Sequence, residues 1–244
     1  MEPKTVGRAR GVELQAKWVI ICTMAWALAL VIPLTVHAES NPRHDFRLWS
    51  PVYLTVKLPS SFLGFMEVNP RFGDDVSEID QLFFRPALGY QVTDHLSIWQ
   101  GYAWIGSYQP RFTGEHRSFQ QVIYGRNFSS FKLLSRSRFE QRVIDRAEGT
   151  ALRARTLLRA DFPLPKAPSW AFVVYDEVFV NVNSARNGPR EGLDQNRFFV
   201  GLNRKVTNYF NVDIGYQLQA LNNGKSGLIN QMNHILLIQF FINL

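Results

Sequence analysis

The last nine residues of the chain read Leu236-Leu237-Ile238-Gln239-Phe240-Phe241-Ile242-Asn243-Leu244. Taken two apart, Leu236, Ile238, Phe240, Ile242 and Leu244 form an apolar face, and Leu237, Gln239, Phe241 and Asn243 form a mixed one. Side chains alternate across a strand, so this is a β-strand with one greasy side. The same pattern recurs upstream. Leu82, Phe84, Pro86, Leu88, Tyr90 and Val92 oppose Gln81, Arg85, Ala87, Gly89 and Gln91. Phe172, Val174, Val178, Val180 and Val182 oppose Tyr175, Glu177, Asn181 and Asn183, and Val212, Ile214, Tyr216 and Leu218 oppose Asn211, Asp213, Gln217 and Gln219. A soluble sandwich shows the same alternation with its apolar face inward, so the decision needs lengths and ends as well.

Turn residues cut the chain into strands at 46–58, 62–72, 79–92, 96–106, 115–128, 130–142, 150–162, 169–182, 193–205, 209–221 and 230–244. These lengths approach the roughly 9–11 residues of a tilted membrane strand. Connections alternate between short ones, such as Pro59-Ser60-Ser61 and Thr93-Asp94-His95, and longer polar ones, such as Asn183 to Gly192. Short turns at one end and long loops at the other are the habit of outer-membrane barrels. The pattern therefore predicts an all-β, antiparallel transmembrane barrel. Such barrels favour an even count, so a further short strand within 39–50, broken at Ser50-Pro51, would bring eleven to twelve; ten is the alternative. Trp49, Trp99, Trp104, Tyr108 and Trp170 fall where interface girdles are expected.

Residues 1–38 read as a cleaved signal peptide. Lys4, Arg8, Arg10 and Lys17 make a basic start, Trp18 to Val36 is almost wholly apolar, and Val36-His37-Ala38 ends in a small-residue cleavage site. The barrel then occupies 39–244, and Cys22, the chain's one cysteine, leaves with the signal. An exported chain without disulfides must be stabilised otherwise, as a closed sheet in lipid is. The formal charge of +7 includes +2 from the signal (four Lys/Arg against Glu2 and Glu13), leaving +5 spread along the strands. With no Lys/Arg run, nucleic acid is not an expected partner. Expected partners are outer-membrane lipid and lipopolysaccharide, and the barrel-assembly machinery through the C-terminal strand.

Chemistry concentrates on two neighbouring strands. Arg136, Arg138, Glu140 and Arg142 share one face, and Arg153, Arg155, Arg159 and Asp161 share another. A midplane Arg facing lipid costs roughly 2–4 kcal/mol, so these must face the lumen. Arg85, Arg126 and Arg197 join them, with Glu67 and Glu177 as counter-charges. Planar guanidinium groups hold carboxylates in bidentate pairs, which suits a network filling a narrow lumen, while an Arg-lined path would select anions. His116-Arg117-Ser118 places an imidazole and a hydroxyl two residues apart on one strand face, the spacing of a base and its nucleophile. That pair shares phase with Gln120, Tyr124 and Arg126 opposite Phe119 and Ile123, which turns it toward the lumen or sets it above the membrane at the strand's outer end. The acidic loop Gly73 to Glu78 offers carboxylate oxygens but reads as a solvated turn, and His234 has no partner in sequence; neither a metal nor a cofactor is expected.

Six ordered blocks carry a resemblance: PRFGDD at 70–75, LFFRPALGY at 82–90, SRSRFEQR at 135–142, Tyr175-Asp176-Glu177, DQNRF at 194–198 and Met232-Asn233-His234. They resemble the domain of unknown function 2490 family over nearly all of the chain after residue 38. The resemblance implies an outer-membrane β-barrel of Gram-negative bacteria and assigns no activity. The expected function is a non-enzymatic barrel in the cell outer membrane, either a narrow, gated channel or a closed structural or binding barrel. A lipid hydrolase of the phospholipase or lipid A deacylase type, using His116 and Ser118, is the alternative.

Overall fold

The computed structural model describes residues 38–222 and 228–244. The expected signal segment up to residue 37, and residues 223–227 of the last long loop, lie outside the described residues. Twelve strands follow in order: β1 (Ala38–Trp49), β2 (Val52–Lys57), β3 (Phe62–Gly73), β4 (Glu78–Thr93), β5 (Leu96–Ser107) and β6 (Thr113–Asn127), then β7 (Lys132–Ile144), β8 (Ala151–Leu164), β9 (Ala167–Asn181), β10 (Gly192–Lys205), β11 (Phe210–Leu221) and β12 (Ile229–Asn243). A single 3-10 turn, Pro59–Ser61, joins β2 to β3. From β2 to β12 each strand pairs antiparallel with the next.

Closure is where expectation and structure part. β2 runs parallel to β12, from Phe240↔Val52 to Asn243↔Thr55, and closes a ring of eleven strands. The twelfth strand, β1, stands outside that count. It lies ahead of β2 along the same edge of β12, parallel from Arg43↔Gln231 to Trp49↔Leu237, and touches β3 at Leu48↔Phe72 and Trp49↔Arg71. Ser50-Pro51 is indeed the break. Both halves descend toward the short-turn end, as β12 does, so the break adds a segment without reversing the chain. First and last strands thus run the same way, and the even-count argument for an all-antiparallel ring does not apply. Phe240 N donates to Pro51 O at 2.9 Å and Leu244 N to Thr55 O at 2.8 Å, carrying the ladder across the break to the end of the chain.

Burial is inverted relative to a water-soluble sheet. Among the described residues the buried set holds 22 polar or charged side chains against 18 apolar ones, while 28 large hydrophobics are exposed. On β12, Asn233, Ile235, Leu237 and Gln239 are buried and Leu236 is exposed, so the mixed face points inward as its sequence implied. Two of the expected girdle residues do otherwise. Trp49 and Trp99 point into the lumen, 3% and 9% exposed, because each has a lumen partner that needs its ring: Arg71 for one, Gly89 for the other. The outer aromatic band at the short-turn end is built from phenylalanines and tyrosines instead. Phe128, Phe131, Phe162 and Phe172 form a chain of ring contacts with centroids 4.7, 5.8 and 6.5 Å apart.

Gly101 shows how bulky lumen side chains are fitted. It sits opposite Phe119 on β6, and a Cβ there would lie 2.2 Å from the Phe119 ring. Only a residue without a side chain lets that ring lie flat across the sheet.

Candidate functional site

Strand register explains the ionic layer. Cross-strand partners Arg138↔Arg155 and Arg117↔Arg142 set like charges directly opposite, an unfavourable arrangement unless a carboxylate intervenes. Glu140, 1% exposed, intervenes for the first pair. It accepts from Arg153 Nε and Nη2 at 2.9 and 2.6 Å and from Arg155 Nη1 at 3.2 Å, with Arg138 Nη1 3.6 Å away. Glu115 does the same for the second pair. It takes Arg117 at 2.5 and 2.8 Å and Arg142 at 2.6 and 3.2 Å, one fork on each side. Charge-assisted, bidentate contacts of this kind are the strongest hydrogen bonds a protein makes. A bulge between Leu193 and Gln195 turns Asp194 inward, where it accepts from Arg153 Nη1 at 2.7 Å.

Nearer the short-turn end the pattern continues. Glu177 accepts from Arg136 and Arg155, both at 2.9 Å, and faces Arg197 at 4.0 Å. Arg159 links Asp161 at 2.6 Å to Asp213 at 2.5 Å, and Arg85 is bonded to Glu67. Of the expected lumen set, Arg126 alone is misplaced: it is exposed, 5.3 Å over the Phe128 ring at the strand end. The phase of β6 is the reverse of the one expected, since both its faces carry polar residues and periodicity does not choose between them. Glu115, Arg117, Phe119 and Gln121 are the buried ones, and Gln121 accepts from Arg138 Nε at 2.8 Å. The signal that could have found them is Glu115-x-Arg117, an ion pair on one strand face. Setting aside the Asp45–Arg47–Asp80 trio at the long-loop rim, ten lumen arginines (71, 85, 117, 136, 138, 142, 153, 155, 159, 197) meet seven carboxylates (67, 115, 140, 161, 177, 194, 213). The balance is +3.

The lumen is solid in one half and hollow in the other. Glu140, Arg138, Arg153, Phe179, Gln219 and Asn233 fill the half toward the long loops, each 5% exposed or less. Beside them a cavity of about 440 Å³ extends to the short-turn end. Its mouth carries the strand-end residues Lys132, Lys205 and Asn243, and its depth reaches Trp49, Arg71, Arg85 and Arg117.

His116 and Ser118 are both exposed on the outer face of β6 rather than in the lumen, because Glu115, Arg117 and Phe119 take the inward phase. His116 Nδ1 is bonded to Tyr102 OH at 2.5 Å, and Ser118 Oγ accepts from Gln100 Nε2 at 3.1 Å. No hydrogen bond among the described residues joins the two or supplies His116 with a carboxylate. His234, expected to be alone, meets His44 of β1 at 2.9 Å and Tyr216 OH at 2.7 Å on the outer face. Among the described residues no group of three or more His, Cys, Asp or Glu is placed to hold a metal.

A closed β-barrel with an apolar exterior and a lumen of paired arginines is the class these features define. The family described as protein of unknown function (DUF2490) matches residues 46–232, and the chain belongs to it. It is also 35% identical over 218 residues to an uncharacterised protein of Methylorubrum extorquens, covering 87% of this chain and 93% of that one.

Proposed function

We propose that the protein is a non-enzymatic β-barrel of the Gram-negative outer membrane, closed toward the cell exterior and hollow toward the periplasm. Inverted burial carries this reading. Soluble monomers rarely expose contiguous apolar patches beyond a few hundred Å². Here Val52, Leu88, Phe139, Phe172, Leu202 and Leu236 lie 38–53% exposed on strands spread around the ring. The phenylalanine chain at the short-turn end supports an interface girdle. Residues 1–38 would direct export, β12 would engage the barrel-assembly machinery, and phospholipid and lipopolysaccharide would cover the apolar band. The solid upper half favours the closed barrel over the channel, and His116 and Ser118, bonded to Tyr102 and Gln100 with no carboxylate on the imidazole among the described residues, give a lipid hydrolase no support.

The test is expression of the full chain in a Gram-negative host, with inner and outer membranes separated by density. The expected result is a polypeptide beginning at Glu39 in the outer-membrane fraction, migrating faster on gels before boiling than after. Recovery from the soluble periplasm with no boiling-dependent shift would overturn the proposal.

A further inference from the structure

The hollow half of the lumen has the wrong complement of polar groups to stand as simple filler. Nine of the side chains lining it are Arg or Lys and three are Asp or Glu. Its buried orphan atoms point the same way. Seven such atoms belong to cavity-lining residues, and six of them, Trp49 Nε1, Arg71 Nε, Arg85 Nε, Arg136 Nε, Gln217 Nε2 and Gln239 Nε2, are N–H donors with no acceptor among the described residues; the seventh, Asn69 Oδ1, is an acceptor. A buried donor left unmatched forfeits its hydration without return, so six in one cavity call for acceptors.

Arg71 is the focus. It is 6% exposed and makes no ion pair among the described residues; its guanidinium stacks on the Trp49 ring at 3.6 Å and on Phe83 at 3.9 Å. Its one polar bond is to the neutral amide of Gln81, at 3.2 Å. Arg197 stands on the same Trp49 ring at 5.0 Å and donates Nε to the neutral amide oxygen of Gln195 at 3.1 Å; the nearest carboxylate oxygen, Glu177 Oε2, is 4.0 Å away, and the other oxygen of that carboxylate is taken by Arg136 and Arg155. Aromatic faces hold guanidinium groups in place but leave their edge donors free. Two such cations beside one ring, under an unmatched indole N–H, form a cradle for negative oxygen atoms.

We propose that this vestibule is a binding site for a small oxyanion, a carboxylate or phosphate group held by Arg71, Arg197 and Trp49 Nε1. Part of the +3 balance of the lumen is then offset by the ligand rather than by the chain. Lys132 and Lys205 at the mouth draw anions inward. The site depends only on the lumen's geometry; that it is reached from the periplasm rests on the membrane reading above.

Calorimetric titration of refolded residues 39–244 in neutral detergent, at constant ionic strength, tests it with inorganic phosphate and benzoate as separate probes. Saturable binding of one anion per chain is expected, and the probe that binds distinguishes the phosphate from the carboxylate source. Arg71→Gln should weaken it at least about tenfold. Gln217→Glu guards against a folding artefact. It keeps the oxygen that accepts from Tyr175 OH, relieves positive charge, and places a carboxylate where the unmatched N–H stood. It too should lose about tenfold or more. A folded barrel that binds neither probe, or two variants that bind as well as the parent, would overturn the site. A boiling-dependent shift measured on the same samples separates that failure from failure of the barrel itself.

Discussion

Replacing Glu140 with Gln probes the ionic layer at its most connected point. The carboxylate takes three hydrogen bonds from Arg153 and Arg155 and lies within 4 Å of Arg117 and Arg138 as well. Gln keeps one accepting oxygen, enough for the Arg153 fork, and turns the other position into an N–H facing Arg155. The lumen excess rises from three charges to four (10 − 6), with Arg138 and Arg155 still opposite each other. Removing one partner from a buried ion pair typically costs 3–5 kcal/mol, because the remaining charge stays buried uncompensated. About 3–5 kcal/mol is therefore expected, roughly a hundred- to several-thousand-fold in the folding equilibrium. Urea unfolding of the refolded barrel in lipid vesicles, followed by tryptophan fluorescence, should show a lower midpoint and an unchanged slope. Glu148→Gln is the control. Its pair with Arg186 is 61–78% exposed, and its loss should cost no more than ~0.5 kcal/mol. A Glu140→Gln change as small as the control's would refute the claim that the carboxylates hold this lumen together.

Arg155→Leu should cost less, about 1–3 kcal/mol by the same assay, because Glu177 keeps Arg136 and Glu140 keeps Arg153. A cost above that of Glu140→Gln would count against the reading. Gly101→Ala drives a methyl into the Phe119 ring and should lower stability by about 1–3 kcal/mol, read as a lower thermal midpoint. Ser118→Ala should leave phospholipid and lipid A turnover at background and stability within ~0.5 kcal/mol; loss of a measurable hydrolysis would restore the enzyme reading. In planar bilayers the refolded barrel should carry no discrete current steps, whereas steps with an anion preference would mean the solid half is traversed.

Much of this was legible from alternation alone. Every strand from β3 to β12 begins and ends within two residues of its expected position, since inner and outer faces differ sharply on most strands. β6 is the exception that shows why. His116, Ser118 and Gln120 face outward, and Glu115, Arg117 and Gln121 inward, so composition offers no contrast. Only the neighbour settles the phase, because Arg117 and Gln121 must meet Arg142 and Arg138. Closure was equally illegible. Whether Ser50-Pro51 reverses the chain or merely interrupts a strand depends on β12, nearly two hundred residues away. Trp49 was assigned to the lipid interface on residue type, but its ring is claimed by Arg71, a contact between strands that no local pattern announces.

The ionic layer has a role beyond stability. A lumen packed with leucine and phenylalanine would let a strand slip by one residue at little cost, since apolar side chains would then face both lipid and core. With Arg136, Arg138, Glu140 and Arg142 on one face of β7, a one-residue slip sends four charges to the apolar outer face, which in the proposed membrane costs roughly 2–4 kcal/mol for each arginine near the midplane. Buried ion pairs often contribute little net stability over apolar replacements. Here they make the wrong registers far worse than the right one. The same logic bears on closure, the step at which a ring joined by a parallel pair is most open to misalignment. Arg71 and Trp49 face each other across the β1–β3 contact beside the β2–β12 closure, so a cation with no carboxylate partner among the described residues stands at the seam. A ligand anchored there would favour the closed, correctly registered barrel over any other.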